Sequence, residues 1–232
     1  MSSIRDTSKS RAAILDRVQA SLGASSGDTA RTSIVAARLG KPARNTVPHL
    51  AKGDAQTLKA GFIDSLETAQ ASIVSIKDMA ALPEAVTDYL KQHNLPQRVR
   101  MGDDALLAGT DWTKTPHLER AIGAAEEPDQ VGLAAAFAGI AETGTLMLTS
   151  GTANPTTNNF LPNDHIVVVP QSRLKGSYED AWDALRASQA PGEMPRTVNY
   201  VSGPSRTGDI EQKLLLGAHG PCRLHVIIVD DA

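Results

Sequence analysis

The chain has 232 residues, of which 41% are hydrophobic, 21% charged and only 3% aromatic, with a formal net charge of −3. That is enough for one large domain or two small ones, with a core built mainly from Ala, Val, Leu and Ile. The single cysteine, Cys222, excludes an internal disulfide and any four-cysteine zinc or iron–sulfur centre, and suits a reducing compartment. No apolar h-region opens the chain, and its longest apolar-and-glycine run, 131–141, is too short to span a bilayer as a helix. A soluble, cytoplasmic protein without a membrane span is expected.

The net charge hides an asymmetry. Residues 1–50 carry eight Lys/Arg against three Asp, a net of +5, and the remainder fifteen Lys/Arg against twenty-three Asp/Glu, a net of −8. A basic arm on an acidic body could suit nucleic acid, but dense Lys/Arg clusters and interleaved aromatics are lacking. The expected partner of the arm is instead an acidic body, its own or a neighbour's, and no nucleic acid. Asp6 and Asp16 argue against an organelle transit peptide.

In chain order, "TSKSRAAILDRVQASLG" has capping residues and places Ile14, Leu15, Val18 and Leu22 at helical spacing. Gly23 and "GASSGDTA" end that helix, and residues 31–51, with Pro42 and Pro48, read as an extended arm. Residues 1–50 are therefore expected to form an N-terminal helix and basic arm, and 51–232 an α/β domain. Helical "DAQTLKAGFIDSLETA" precedes the strand "SIVSI", and helical "DMAALPEAVTDYLKQHN", with Pro83 suited to a first turn, precedes the strand "QRVRM". "VGLAAAFAGIA" and "TLMLTSG" are consecutive strands joined across Glu142-Thr143-Gly144, which predicts a locally antiparallel insert. "HIVVVP" is a buried strand, "SYEDAWDALRAS" a helix and "RTVNYVSG" a strand; "TGDIEQKLLLG" begins as a helix, and "RLHVIIVDD" is the last strand. Strands alternating with helices predict an α/β fold with a mostly parallel sheet flanked by helices.

Ligands in open α/β sheets bind beyond the carboxyl ends of strands, and three glycine-bearing polar segments were candidates for that position: Glu142–Thr145, 202–209 and 219–221. Glu142 stands between apolar strands as a solvated turn residue, a ligand-orienting acceptor, or a nucleophile or general base. Ser202-Gly203-Pro204-Ser205 with Arg206 could bind an anion at a helix start; an ordinary cap by Ser205 or Thr207 is the plainer alternative. The segment is a near miss for a nucleophile elbow, Thr207 replacing the second glycine, and neither a Walker loop nor a G-x-G-x-x-G fingerprint occurs. His219, Cys222 and His225 invite a metal, but strand parity would turn 222 and 225 to opposite faces, so no metal site is expected.

Together, "GIAETGTLML", "LPNDHIVVVP", "SGPSRTGDIE" and "LLLGAHGP" resemble the lactate-utilisation protein C family (LutC/YkgG-like, the LUD domain) in order and spacing. The blocks span 139–221, and the compatible α/β rhythm reaches back to about residue 58. The resemblance implies a fold like the sugar-phosphate isomerase and CoA-transferase superfamily. It also implies a place in L-lactate oxidation to pyruvate beside two partner subunits that carry iron–sulfur clusters, with no intrinsic cofactor on this chain. Glu142, Thr143, Gly144, His165, Ser202, Gly203, Pro204, Ser205, Asp209, Glu211, His219 and Gly220 fall in the matching blocks. The expected site is a catalytic Glu142 with Thr143, Gly144, Thr145, His165, Ser202, Gly203, Pro204, Ser205, Arg206, Asp209, His219 and Gly220 around an anionic small molecule. The leading expectation is a non-redox subunit of a lactate-oxidising complex, with a homo-oligomer also open. The alternatives are a free-standing enzyme on an organic acid, CoA thioester or sugar phosphate, and a regulatory ligand-binding module.

Overall fold

In the computed structural model, residues 7–23, 25, 27–190, 192–208 and 214–231 are described; the chain divides into two units, one ending at Asn45 and one beginning at Thr46. The first unit holds α1 (Ser8–Ser21), as the periodicity predicts, and a second helix, α2 (Thr29–Gly40). Residues 31–40 of the arm expected to be extended are thus helical, whereas 41–48 form neither helix nor strand. Asp28 starts α2 by accepting the Arg31 N–H at 3.0 Å, and Pro42 and Pro48 fall beyond its end, where they break nothing. Ile14, Val18, Ile34 and Leu39 of these helices are exposed.

The second unit opens with α3 (Ala55–Thr68), whose N-terminus is capped by Asp54 accepting from the Thr57 N–H at 2.8 Å. It continues through β1 (Ser72–Asp78), α4 (Leu82–Gln92), β2 (Arg98–Met101), α5 (Ala105–Ala108), β3 (Glu119–Ile122) and β4 (Val131–Ala135). Pro83 lies in the first turn of α4, where its missing N–H costs no helical hydrogen bond. After β5 (Ala138–Ile140), β6 (Thr145–Thr149), β7 (Asp164–Pro170) and β8 (Leu174–Lys175) comes α6 (Tyr178–Ser188). Ser177 and Asp180 form a reciprocal capping box at its start. The chain ends with β9 (Val198–Val201), β10 (Arg206–Gly208), β11 (Leu214–Leu216) and β12 (Arg223–Asp231).

Six strands, in the order β1-β12-β7-β4-β2-β3, form a wholly parallel sheet. A second sheet, β8-β5-β6-β9, is mixed. The α/β class and mostly parallel sheet follow the sequence reading, and β5 and β6 are the antiparallel insert it predicts. The expected single strand over 131–141 is, however, two strands in two sheets. Ala136 N–H still donates to Val168 of the large sheet, whereas Phe137 N–H donates to Met147 of the small one. Between them the chain changes layers, and an all-apolar run suits burial in both.

Apolar side chains fill both faces of the large sheet. Val99, Leu133, Ile166, Val168 and Ile227 pack with Leu82, Val86 and Leu90 of α4. Ala134, Val167, Val169, Val226 and Ile228 pack with Phe62 and Leu66 of α3 and with Leu146 and Leu148 of the small sheet. Each Val, Leu, Ile or Phe among them stabilises the fold by about 1.5–3 kcal/mol when fully buried. Ala181 and Leu185 of α6 cover the small sheet's outer face against Ile140 and Met147. At the ends of "TGDIEQKLLLG", where a helix is expected to begin, Arg206–Gly208 and Leu214–Leu216 pair as antiparallel strands; residues 209–213 lie outside the described residues. Asp209 and Glu211 lie outside the described residues. Among the described residues, no helix is long and apolar enough to cross a membrane.

Candidate functional site

His165 is the second residue of β7, in register with Gly132 of β4 and Leu224 of β12. Alternation along the strand turns it to the same face as Val167 and Val169, towards the small sheet. At this amino end of the large sheet the layers part and leave a cavity of about 200 Å³. Its inner wall includes His165 and Leu224, 0% and 1% exposed, and Asn159, 1% exposed. Towards solvent it is lined by Tyr200, Ser202 and His219, all exposed, with Ser205 and Gly220 beside them.

Two buried polar side chains facing this cavity have no hydrogen-bond partner among the described residues. Neither ring nitrogen of His165 has one, and neither end of the Asn159 amide does. Burial alone pushes the His165 pKa down to about 4, so the ring is neutral near pH 7. Its neighbour in sequence, Asn158, shows the ordinary arrangement: its Oδ1 accepts the Ala125 N–H at 2.6 Å and its amide donates to the Gly123 carbonyl at 3.0 Å. Leaving a buried polar group unsatisfied costs about 1–3 kcal/mol. Two such groups lie at the inner wall of one cavity, with almost no surface open to it.

The loops at the mouth are held by backbone. Ser205 N–H donates to the Pro221 carbonyl at 2.8 Å, and Gly217 N–H donates to the Ser205 carbonyl at 3.0 Å. Gly203, at φ +146°, lies against α3's end, where an added Cβ would come within 3.0 Å of the Ala69 carbonyl oxygen. Arg206 donates to that same carbonyl. With Pro204, Ser202 and Gly203 it lines a shallow depression beside the cavity.

Ser202 is also the end of a chain of hydroxyls. Thr145, fully buried, lies 2.6 Å from the Ser202 hydroxyl, 2.9 Å from the Tyr178 hydroxyl and 2.7 Å from that of Thr143. Gly144, at φ +60°, makes the β5–β6 turn and presses on α3, where a Cβ would meet Ser65 and Leu66 at 2.7 and 2.8 Å. Glu142 does not line the cavity. Its Oε1 accepts the Tyr178 N–H at 3.0 Å at the start of α6, and its own N–H donates to the Gly176 carbonyl at 3.1 Å. A carboxylate there satisfies an unpaired helical N–H and meets the positive end of the helix dipole. The sequence reading places Glu142 in a cleft with 202–206 and 219–220; it is not among the residues lining this cavity, and its Oε2 is buried with no hydrogen-bond partner among the described residues.

The position of the cavity also differs from the carboxyl-end rule. Residues 219–220 precede β12 and His165 is the second residue of β7, so the cavity lies at the amino ends of the large sheet's strands, although 202–205 follow the carboxyl end of β9. A separate cavity of about 410 Å³ lies at the carboxyl end, with Asp104, Ser150, Ser172, Arg173 and Lys175 among its lining. None of these was singled out by the sequence motifs. Asn159, Phe160, Tyr200, Pro221 and Leu224 were likewise missed at the His165 cavity; the signal was the run "TTNNFLPND", too polar for the buried place it occupies.

Across β7 from His165, a second polar cluster fixes the strand starts. Fully buried Asp164 accepts the Tyr89 hydroxyl at 2.7 Å and Arg223 Nε and Nη2 at 2.5 and 2.7 Å. Burial and the Asp164 carboxylate raise the Tyr89 phenol well above its usual range. His225 stacks on Tyr89 with ring centroids 4.3 Å apart and its Nδ1 lies 2.8 Å from the Ser72 hydroxyl. Its ring is therefore committed to Tyr89 and Ser72. No group of three or more His, Cys, Asp or Glu suited to a metal ion occurs among the described residues.

The sequence profile of the LUD domain matches residues 59–229. The chain is 37% identical to lactate utilization protein C of Halalkalibacterium halodurans over 114 residues, 49% of this chain and 49% of that protein. It is 35% identical to the protein of the same name from Bacillus subtilis over 106 residues, 45% of this chain and 44% of the relative. The chain thus spans about half the length of the curated relatives it matches. The crystal structure of a DUF162 family protein from Deinococcus radiodurans shares the fold, with a TM-score of 0.59 at 24% identity over 77% of this chain and 99% of that one.

Proposed function

The chain belongs to the LUD domain family, and from that premise we propose that it serves lactate utilisation as a non-redox subunit. It binds an anionic small molecule and docks onto partner subunits that carry iron–sulfur clusters. Relatives named lactate utilization protein C support the pathway. Oxidising L-lactate to pyruvate releases two electrons, and the acceptor must be a group suited to them. With one cysteine and no dinucleotide fingerprint, this chain's residues suit a binding and docking role, and the electrons pass to the partners' clusters.

The observation that carries the binding role is the cavity with His165 and Asn159 unpartnered at its inner wall. Within it, neutral His165 can donate one hydrogen bond and accept another, and the Asn159 amide can do the same. The Ser202 and Ser205 hydroxyls and His219 stand where a charged end stays in contact with water. Docking falls to the basic N-terminal helices, whose charge is opposite to that of the rest of the chain.

Reconstitution tests the proposal. The purified chain should show no iron–sulfur absorbance and no lactate oxidation with an artificial electron acceptor, and turnover should appear on adding the cluster-bearing subunits. Turnover by the chain alone would make it a free-standing enzyme. Ligand binding with no effect on the partners' turnover would make it a regulatory module.

A further inference from the structure

We propose that the cavity at the carboxyl end of the large sheet is a second small-molecule site, and that it takes a compact dianion, a phosphate monoester or a dicarboxylate, on Arg173 and Lys175. It stands apart from the His165 cavity: β7 has His165 near its start, and Gln171–Arg173 follow its end.

The walls come from the ends of three neighbouring strands. Ala135 ends β4, Arg173 follows β7 and Asp104 follows β2, and these strands lie side by side in the order β7-β4-β2. That is where open α/β sheets hold ligands. The loop after β6 adds a further wall, which backbone fixes on both sides. Ser150 N–H donates to the Thr197 carbonyl at 2.9 Å, and the Thr197 N–H donates to the Ser150 hydroxyl oxygen at 2.9 Å. Gly102, just after β2, admits the Ala153 carbonyl, whose oxygen would lie 2.1 Å from an added Cβ. The space between these walls, about 410 Å³, has room for an anion of several carbons.

Charge then gives the ligand class. Acids outnumber bases beyond residue 50, so a half-buried cation there should find a carboxylate. Among the described residues of the second unit, four Lys or Arg are half-buried. Lys59 pairs with Asp230 at 2.6 Å and Arg100 with Asp129 at 2.7 Å. Arg173 and Lys175 are in no ion pair among the described residues. Leu174 packs into the core between them, so alternation turns both cations to the cavity side. Arg173 Nη1 donates to the Ala136 carbonyl at 2.8 Å, which steadies the guanidinium and leaves its other donors for a ligand. Two neighbouring cations repel each other, and a dianion compensates both where a monoanion leaves one uncovered. The Ser150 and Ser172 hydroxyls add neutral donors. Asp104, also in the lining, is tied to the start of α5, its Oδ1 accepting the Leu106 N–H at 2.9 Å; its second oxygen can accept from a ligand hydroxyl.

The experiment is a calorimetric titration of the full chain at low ionic strength, with glycerol 3-phosphate, succinate and acetate as probes. At least one of the two dianions should bind about tenfold more tightly than acetate, or better, and the tighter of them names the source of the charge. That affinity should fall as salt is added. Dianions that bind no more tightly than acetate overturn the proposal.

Variants locate the binding. Lys175→Gln removes a charge that breaks no ion pair, so the thermal midpoint should hold while dianion affinity falls by about tenfold or more. Lys175→Arg keeps the charge and should recover most of that affinity. Gly151 also lines the cavity; its φ lies outside the left-handed range, and a Cβ there meets no atom within 4 Å. Gly151→Glu therefore adds an anion to the lining without crowding the fold, and should abolish dianion binding at an unchanged midpoint. Unchanged dianion affinity in folded Lys175→Gln and Gly151→Glu would put the binding elsewhere and end the proposal.

Discussion

Acid should weaken the fold well above the pH at which carboxylates usually protonate, through two buried histidines. Burial holds His165 at a pKa of about 4, and burial with nearby His93 holds His225 at about 4. In the unfolded chain both titrate near 6.5. Between those values the unfolded state binds protons that the folded state refuses, so stability rises with pH. The contribution is fully present above about pH 6.5 and is lost as pH falls towards 4. For one such histidine the loss between pH 7.5 and pH 5 is about 2 kcal/mol, and for both about 4 kcal/mol. That is a large share of the roughly 5–15 kcal/mol by which a domain is stable. Urea unfolding followed by circular dichroism at the two pH values measures it. His165→Phe should keep the loss due to His225 and abolish about half of the total. Equal losses in wild type and variant would refute the assignment of His165 as a neutral, proton-refusing group.

Gly144→Ala places a methyl group 2.7 Å from Ser65 Cβ and 2.8 Å from the Leu66 nitrogen at φ +60°; left-handed strain and overpacking should together cost about 2–4 kcal/mol in urea unfolding. An unchanged midpoint would mean that the turn does not press on α3. Glu142→Gln keeps an acceptor for the Tyr178 N–H, so stability should move by no more than about 1 kcal/mol and L-lactate affinity by less than tenfold. A loss of affinity beyond a hundredfold would place the carboxylate's charge at the ligand after all.

What could be read from the sequence was the part that local chemistry encodes. Pro83 in a first turn, the helical pattern of "SYEDAWDALRAS" and the β-branched run of β7 each act within a few residues, and each element formed where expected. The helix at 29–40 lies close before Pro42 and Pro48, whose turn character masks it in one dimension; its start is set by the Asp28 side chain accepting the Arg31 N–H. The strands at 206–208 and 214–216 were missed for another reason. Leu214–Leu216 pair with Arg206–Gly208, a partnership beyond helical spacing that helix-like composition conceals.

The site divides in the same way. His165, Ser202, Gly203, Ser205, His219 and Gly220 were anticipated through the family blocks and do line one cavity. Asn159 could not be told from Asn158 in one dimension. The two differ only because the 3-10 turn at Thr156–Asn159 sends one amide to Ala125 and Gly123 and the other to the cavity. Glu142 stood out for its apolar neighbours, yet its explanation was a helix start thirty-six residues further along the chain.

The central claim is that the cavity beside His165 serves lactate utilisation. A chromosomal His165→Phe replacement in the source organism, with growth rates compared on L-lactate and on glucose, tests it most directly. Growth on L-lactate should slow several-fold at wild-type abundance of the protein, with growth on glucose unchanged. Wild-type growth on L-lactate by a strain that makes the variant at normal abundance would contradict the claim.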